Sequence, residues 1–212
     1  MTRALRIDVF VELVCPWCLI GKRQLARALE RFAQTDPDLQ VQVHWRAVQL
    51  IPQVPAEGWP FADFYLRRLG SPQAVRQRQA QVQAAAAQAG VDIDLARIER
   101  FPNTARAHRL LEFAAIQRPE SVDALLERLF DAYFRRGEDL GDSETLLAIA
   151  QETGMDATSA LPWLDARPTA QPAPVTGVPL FVFNGRFALS GAQPPEALWS
   201  AMRRSSEEAT LA

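Results

Sequence analysis

The only cysteines of this chain are Cys15 and Cys18, held in the stretch "LVCPWCLIG" that runs from Leu13 to Gly21. Two thiols at this spacing allow a dithiol–disulfide couple, half of a metal site, or two inert buried side chains. A structural zinc site asks for four ligands, and no second C-x-x-C exists. The only histidines, His44 and His108, would have to complete it, and they are not spaced as a local pair. Redox chemistry asks for something different: a thiolate, stabilised where it can meet a disulfide. Whether Cys15 is placed for that depends on the elements around it.

Ile7 to Val14 is β-rich and mostly apolar, the pattern of a buried strand. Pro16 then stands where a helix can start, because its missing N–H is not needed at the first helical position. Ile20, Leu25, Leu29 and Phe32 continue near helical spacing until Asp36-Pro37 ends the run. Leu39, Val41, Val43 and Trp45 then alternate with Gln40, Gln42, His44 and Arg46, as in a half-buried strand. Residues 7–50 therefore read strand, helix, strand, a βαβ unit. Cys15 falls at the helix N-terminus and Cys18 one turn in, where unpaired N–H groups and the helix dipole favour an anion.

Beyond Pro60 the pattern changes. Residues 61–165 contain no convincing strand. Helices are predicted in "SPQAVRQRQAQVQAAAAQAG", in "NTARAHRLLEFAAIQ" with Thr104 as N-cap, in "SVDALLERLFDAYFRRG", and in "GDSETLLAIAQETGM" with Asp142 or Ser143 as N-cap. Strands return in "GVPLFVFNGRFALSGAQ", a hairpin turning at Asn184-Gly185, and "PPEALWSAMRR" reads as a closing helix. The order is β-α-β, helical block, β-β-α. It gives an α/β chain in which residues 1–60 and 166–212 form one discontinuous domain and 61–165 a helical insertion.

Composition narrows the function classes. The net charge is -2 and the pI about 5.8, which argues against a nucleic-acid binder. At 48% apolar residues the chain can build a sizeable core without staples. No stretch approaches the ~18 apolar residues of a membrane helix, and the N-terminus shows no secretory pattern. The expectation is a cytoplasmic protein, in a compartment that keeps thiols reduced.

C-x-x-C after a first strand, a Val-Pro before a third, and a helical block between the halves resemble the DsbA-like thioredoxin-fold proteins. The stretches "VCPWCLIGKRQL", "FPNTARAHRLLEFA", "RLFDAYFRRGEDLGDSETLLAIAQETGMD" and "GVPLFVFNGRFALSGAQPPEAL" resemble their FrnE-like branch. Residues 160–175 depart from the pattern, since relatives carry a longer helical run there.

The resemblance implies a bacterial thiol–disulfide oxidoreductase with a thioredoxin-like fold and a large all-helical insertion. Cys15 attacks a substrate disulfide, Cys18 resolves the mixed disulfide, and Pro16 and Trp17 set the geometry between them. Pro179 is expected to be cis and to face the cysteines, leaving the backbone of Val178 free to pair with an extended substrate. Asn103, Thr104 and His108 resemble a motif near the family's cleft. Thr104 and His108 share a helix face, so His108 either tunes Cys15, contacts substrate, or simply packs.

The partner implied is a disulfide-containing protein or a small thiol. No organic or metal cofactor is expected, and glutathione is a possible co-substrate. A related branch holds 2-hydroxychromene-2-carboxylate isomerases and kappa-class glutathione transferases. It carries serine at the position of Cys15 and lacks the second cysteine, so the intact pair counts against that alternative. A peptide-binding protein without turnover is the third reading.

Overall fold

A computed structural model describes residues 4–166 and 175–208. Strand β1 (Ala4–Val11) leads into helix α1 (Pro16–Thr35) and then strand β2 (Gln40–Ala47). The chain next passes through a two-residue strand β3 (Trp59–Pro60) and helices α2 (Phe61–Leu69) and α3 (Pro72–Ala89). A second short strand, β4 (Arg100–Phe101), precedes α4 (Ala105–Gln117), α5 (Val122–Asp131), α6 (Ser143–Glu152) and α7 (Ala157–Leu164). Strands β5 (Leu180–Phe183) and β6 (Phe187–Ser190) and helix α8 (Pro195–Glu208) follow.

The main sheet has the order β2-β1-β5-β6. β1 pairs parallel with β2 from Ala4↔Gln40 to Val11↔Ala47, and antiparallel with β5. β1 therefore lies inside the sheet, and Leu5, Ile7, Val9 and Val11 on one of its faces are completely buried. On β2 only Val41, Val43 and Trp45 are half-buried, as expected for an edge strand with one face covered. The β5–β6 hairpin turns at Asn184-Gly185, with φ of 50° and 68°, the left-handed conformation that Asn and Gly adopt most readily, and Phe183 pairs with Phe187 across the turn. α8 packs on α1 and against β1, β5 and β6.

α4 to α7 pack on one another through an apolar cluster. On α5 the buried residues are Val122, Leu125, Leu126, Leu129 and Phe130, a single stripe at helical spacing. Each such side chain contributes roughly 1.5–3 kcal/mol by leaving water. α5 runs on into one π turn, Ala132–Arg136, which buries Tyr133 and Phe134 before Gly137 ends it.

Two local expectations need correcting, and one alternative is decided. The stretch 61–165 does contain a strand, β4, which pairs antiparallel with β3. Two residues are too few to show a period, so the pairing left no trace in the sequence pattern. Thr104 occupies the residue before α4 but makes no capping bond; the Asn103 side chain accepts the Ala105 N–H instead. At α6 the cap is Asp142, which takes the Thr145 N–H at 2.8 Å.

Candidate functional site

The parallel pairing of β1 and β2 brings both strand ends to one edge of the sheet, and the cysteines lie just past the end of β1. Cys15 is the N-cap residue of α1, with extended backbone (φ −94°, ψ 111°), and Pro16 begins the helix. The Cys15 carbonyl accepts the N–H of Cys18 at 3.0 Å and of Leu19 at 3.4 Å. Cys15, Pro16 and Trp17 are half-buried, whereas Cys18 has no exposed surface. Both thiols are free.

The two sulfurs sit in opposite electrostatic settings. A hydrogen bond from the Cys18 thiol, aided by the backbone N–H groups of Cys18 and Trp17, holds Cys15 below the ordinary thiol range against the opposing effects of burial and Glu12. Burial, above all, pushes Cys18 well above that range, and the Cys15 thiolate adds to the effect. One member of the pair is thus prepared as a thiolate and the other stored as a thiol. Iodoacetamide is expected to alkylate Cys15 with a midpoint below about 8.5, the unperturbed cysteine value, while Cys18 in the folded protein stays unmodified. A Cys15 midpoint at or above that value, read by mass spectrometry against pH, contradicts this. Reduced protein also loses stability above the ordinary thiol range, because unfolded Cys18 ionises there and folded Cys18 does not.

The segment before β5 closes the site. The Val178–Pro179 peptide bond is cis, Pro179 is buried, and the Val178 carbonyl oxygen lies 4.0 Å from Cys15 Sγ. Gly21 makes this approach possible. A Cβ built on it would fall 2.9 Å from Pro179 Cγ and 3.2 Å from Phe181 Cζ. Neither ring end can swing aside, so α1 and the Pro179 segment would be pushed apart. Gly21→Ala is expected to cost about 1–3 kcal/mol from overpacking, partly offset by alanine's better helix propensity. Urea unfolding checks this, and a variant as stable as the wild type would refute the close-packing account.

Behind the cysteines lies a residue that the sequence pattern did not single out. Glu12 is only 4% exposed and connects three parts of the chain. Its backbone N–H donates to Cys18 Sγ at 3.4 Å, and its carbonyl accepts the Cys15 N–H at 3.1 Å. Its carboxylate accepts the Leu13 N–H at 2.8 Å and the Leu50 N–H at 3.0 Å, and lies 3.0 Å from His108 Nε2. His108, on α4, is 2% exposed and faces this carboxylate rather than the surface. Thr104 is buried as well. Asn103 ties α4 to the loop after β2, donating to the Val54 carbonyl and accepting from the Gln49 side chain. A buried acid surrounded by apolar neighbours in an otherwise strand-like run was the one available signal for Glu12. Its partner is 96 residues away.

On the insertion side, Tyr65 packs against Phe61 and Phe64, with ring centroids 4.7 and 5.0 Å away. Burial, with Cys15 as the next contributor, pushes its hydroxyl to about 12, which places Tyr65 within electrostatic reach of the thiol. His44 is exposed on β2, far from His108 in environment. Among the described residues no group of three or more His, Cys, Asp or Glu is arranged to hold a metal ion. Nor is any described helix long and apolar enough to cross a membrane.

Known proteins share this architecture. The chain is 26% identical to the probable DsbA oxidoreductase SCO1869 of Streptomyces coelicolor, with a TM-score of 0.82 over 96% of this chain and 91% of that one. It is 25% identical over 189 residues to the uncharacterized protein YwbO of Bacillus subtilis, covering 84% of this chain and 86% of the relative. A 2-hydroxychromene-2-carboxylate isomerase shares the fold at 17% identity, with a TM-score of 0.65 over 98% of this chain and 99% of that one. The DSBA-like thioredoxin domain matches residues 6–203, nearly the whole of the thioredoxin-like sheet, its helical insertion and the closing helix, and the chain belongs to that family.

Proposed function

We propose that this chain is a thiol–disulfide oxidoreductase working through Cys15 and Cys18. The observation that carries the reading is the asymmetry of the pair: a half-buried Cys15 held low at a helix N-terminus, and a fully buried Cys18 held high one turn later. In the reducing direction the Cys15 thiolate attacks one sulfur of a substrate disulfide. That S–S bond breaks, a Cys15 mixed disulfide forms, and the first substrate sulfur leaves as a thiolate and takes a proton. Cys18 then loses its proton and attacks Cys15 Sγ, releasing the second substrate thiol. Two electrons pass to the substrate, and the protein is left with a Cys15–Cys18 disulfide. Oxidation of a substrate dithiol is the same sequence reversed. The electrons come from the thiols themselves, so the reaction requires no organic or metal cofactor.

Pro16 and Trp17 hold the geometry between the sulfurs. The Val178 carbonyl, 4.0 Å from Cys15 Sγ, is positioned to pair with the backbone of an extended substrate. Glutathione serves in this reading as a co-substrate that resets the pair. The motifs around the cysteines support a place in the FrnE-like branch and a role in the cytoplasm. Equilibration in glutathione redox buffers tests the function, following Trp17-dominated fluorescence and alkylation of both thiols. One reversible two-electron transition is expected, and its midpoint assigns reductant or oxidant. Thiols that stay reduced across the whole range would refute the reading.

A further inference from the structure

Strand β2 ends the main sheet, and its outer edge is open. The Val48 N–H donates to the Val11 carbonyl at 2.9 Å. That bond fixes the rest, since successive residues of a strand turn their backbone groups to alternate sides. The register with β1 runs without a break, so the alternation holds along the whole strand. Gln40, Gln42, His44 and Arg46 therefore turn their N–H and C=O groups toward β1. Val41, Val43, Trp45 and Ala47 turn theirs away from the sheet. No described residue meets these outward groups with a hydrogen bond.

Little guards this edge. β2 has 8 residues, against about 5–6 in a typical strand and 4 in β6 at the sheet's other edge. Protected edges carry proline, lysine or a bulge. β2 has no proline or lysine, and its unbroken register leaves no bulge. Its apolar face is also unfinished. Val41, Val43 and Trp45 lie beside Leu5, Ile7 and Val9, yet they are half-buried where the β1 residues are completely buried. A further strand on the open side would cover the difference. Charge, too, runs along the strand from acid to base. Asp36 and the exposed Asp38 stand just before β2, and neither forms an ion pair with another described residue. His44 and Arg46 stand exposed at its far end.

We propose that β2 is a docking edge for a second copy of this chain, joined antiparallel about a two-fold axis at Val43 into one continuous sheet. An antiparallel copy brings the acidic end of each strand to the basic end of the other, whereas a parallel copy sets like charges together. Only outward residues can exchange backbone bonds, so odd-numbered residues must oppose odd-numbered ones. With the axis at Val43, Val43 faces its own copy and Val41 faces Trp45 on the covered face of the sheet. On the open face Gln42 faces His44 and Gln40 faces Arg46, and no like charges are opposed. An axis at Trp45 would set Arg46 against His44 and leave Val41 beyond the partner strand. The antiparallel pairing also sends the two β1 ends, and with them Cys15, to opposite ends of the joined sheet. The two cysteine sites therefore face opposite ways, and the proposal does not depend on what they catalyse.

The test starts on the unaltered chain. A pair of edge strands buries less than the ~1,200 Å² of a standard interface, so a micromolar association is expected. Sedimentation from about 1 μM to about 1 mM should show one reversible monomer–dimer step. Protein that stays monomeric throughout overturns the proposal. Hydrogen exchange, read residue by residue by mass spectrometry, locates the contact. In dilute protein the Gln42 and His44 amides are protected by β1, while those of Val41, Val43 and Trp45 exchange freely. In concentrated protein all five should be protected. Outward amides that exchange freely at both concentrations overturn the proposal. Outward amides protected even in the monomer would mean that the chain covers its own edge, which overturns it as well.

Two substitutions then separate the docking edge from the fold. Val43→Pro removes only an outward N–H, so the ladder between β1 and β2 survives. It is expected to weaken the dimer at least about tenfold and to leave alkylation of Cys15 by iodoacetamide unchanged. Gln42→Pro, by contrast, removes an N–H that points at β1, and should lower the Tm of the monomer. Asp38→Arg reverses the acidic end of the charge match. It is expected to weaken the dimer about threefold at low salt and less at about 0.5 M salt. A dimer that Val43→Pro leaves intact forms through another surface, and overturns the proposal. So does a dimer that Asp38→Arg strengthens. Should Val43→Pro fail to fold, the exchange pattern of the unaltered chain decides alone.

Discussion

Cys15→Ser is expected to lower disulfide exchange by at least about a thousandfold, because it removes the only group that can form the mixed disulfide. Insulin reduction with a thiol donor measures it. Cys18→Ser should behave differently. Its side chain is buried against the Glu12 N–H, and serine fits there with little disturbance. Attack by Cys15 then proceeds, but resolution does not, so a covalent Cys15–substrate adduct accumulates and shows in mass spectrometry. The two variants together separate the competing functions. A glutathione-dependent isomerase or transferase of this fold would keep most of its activity in Cys15→Ser, and a simple peptide binder would trap no adduct in Cys18→Ser. Substantial exchange by Cys15→Ser would remove the dithiol mechanism altogether.

Truncating the buried pair behind the cysteines is expected to have the largest effect on stability. Glu12→Ala leaves His108 and the N–H groups of Leu13 and Leu50 without their acceptor, at a site where Glu12 and His108 are almost wholly buried. Breaking a buried pair from one side costs about 3–5 kcal/mol, and His108→Ala should cost a similar amount. In a chain of this size that is a fall in Tm of roughly 10 °C. The double variant should cost less than the sum, since both substitutions remove the same interaction. Glu12→Gln keeps the shape and removes the charge. The charge of Glu12 opposes ionisation of both thiols, while its backbone N–H, which the substitution keeps, favours the Cys18 thiolate; Glu12→Gln should therefore move Cys15 to a lower midpoint of alkylation and make the pair more oxidising. An unchanged alkylation profile in a folded Glu12→Gln protein would reduce Glu12 to a purely structural role.

The chain's own pattern determined a good deal. Its βαβ start, helical middle and closing hairpin with helix follow from local rules: apolar period, Pro16 at a helix start, Asp142 or Ser143 as a cap, Asn184-Gly185 at a turn. Each acts within a few residues, so each is legible in order along the chain. The placing of both cysteines on the first turn of α1 belongs to the same class, because a two-residue spacing after a strand leaves few alternatives.

What lay outside the local pattern was decided by tertiary structure. Glu12 meets His108 only because β1 and α4 are packed together, and Gly21 matters only because Pro179 arrives 158 residues later to rest on it. The two-residue strands β3 and β4 exist only as each other's partner. Local propensity acts over one or two turns, whereas charge, burial and close contact depend on distances in space, which no period in a single sequence encodes.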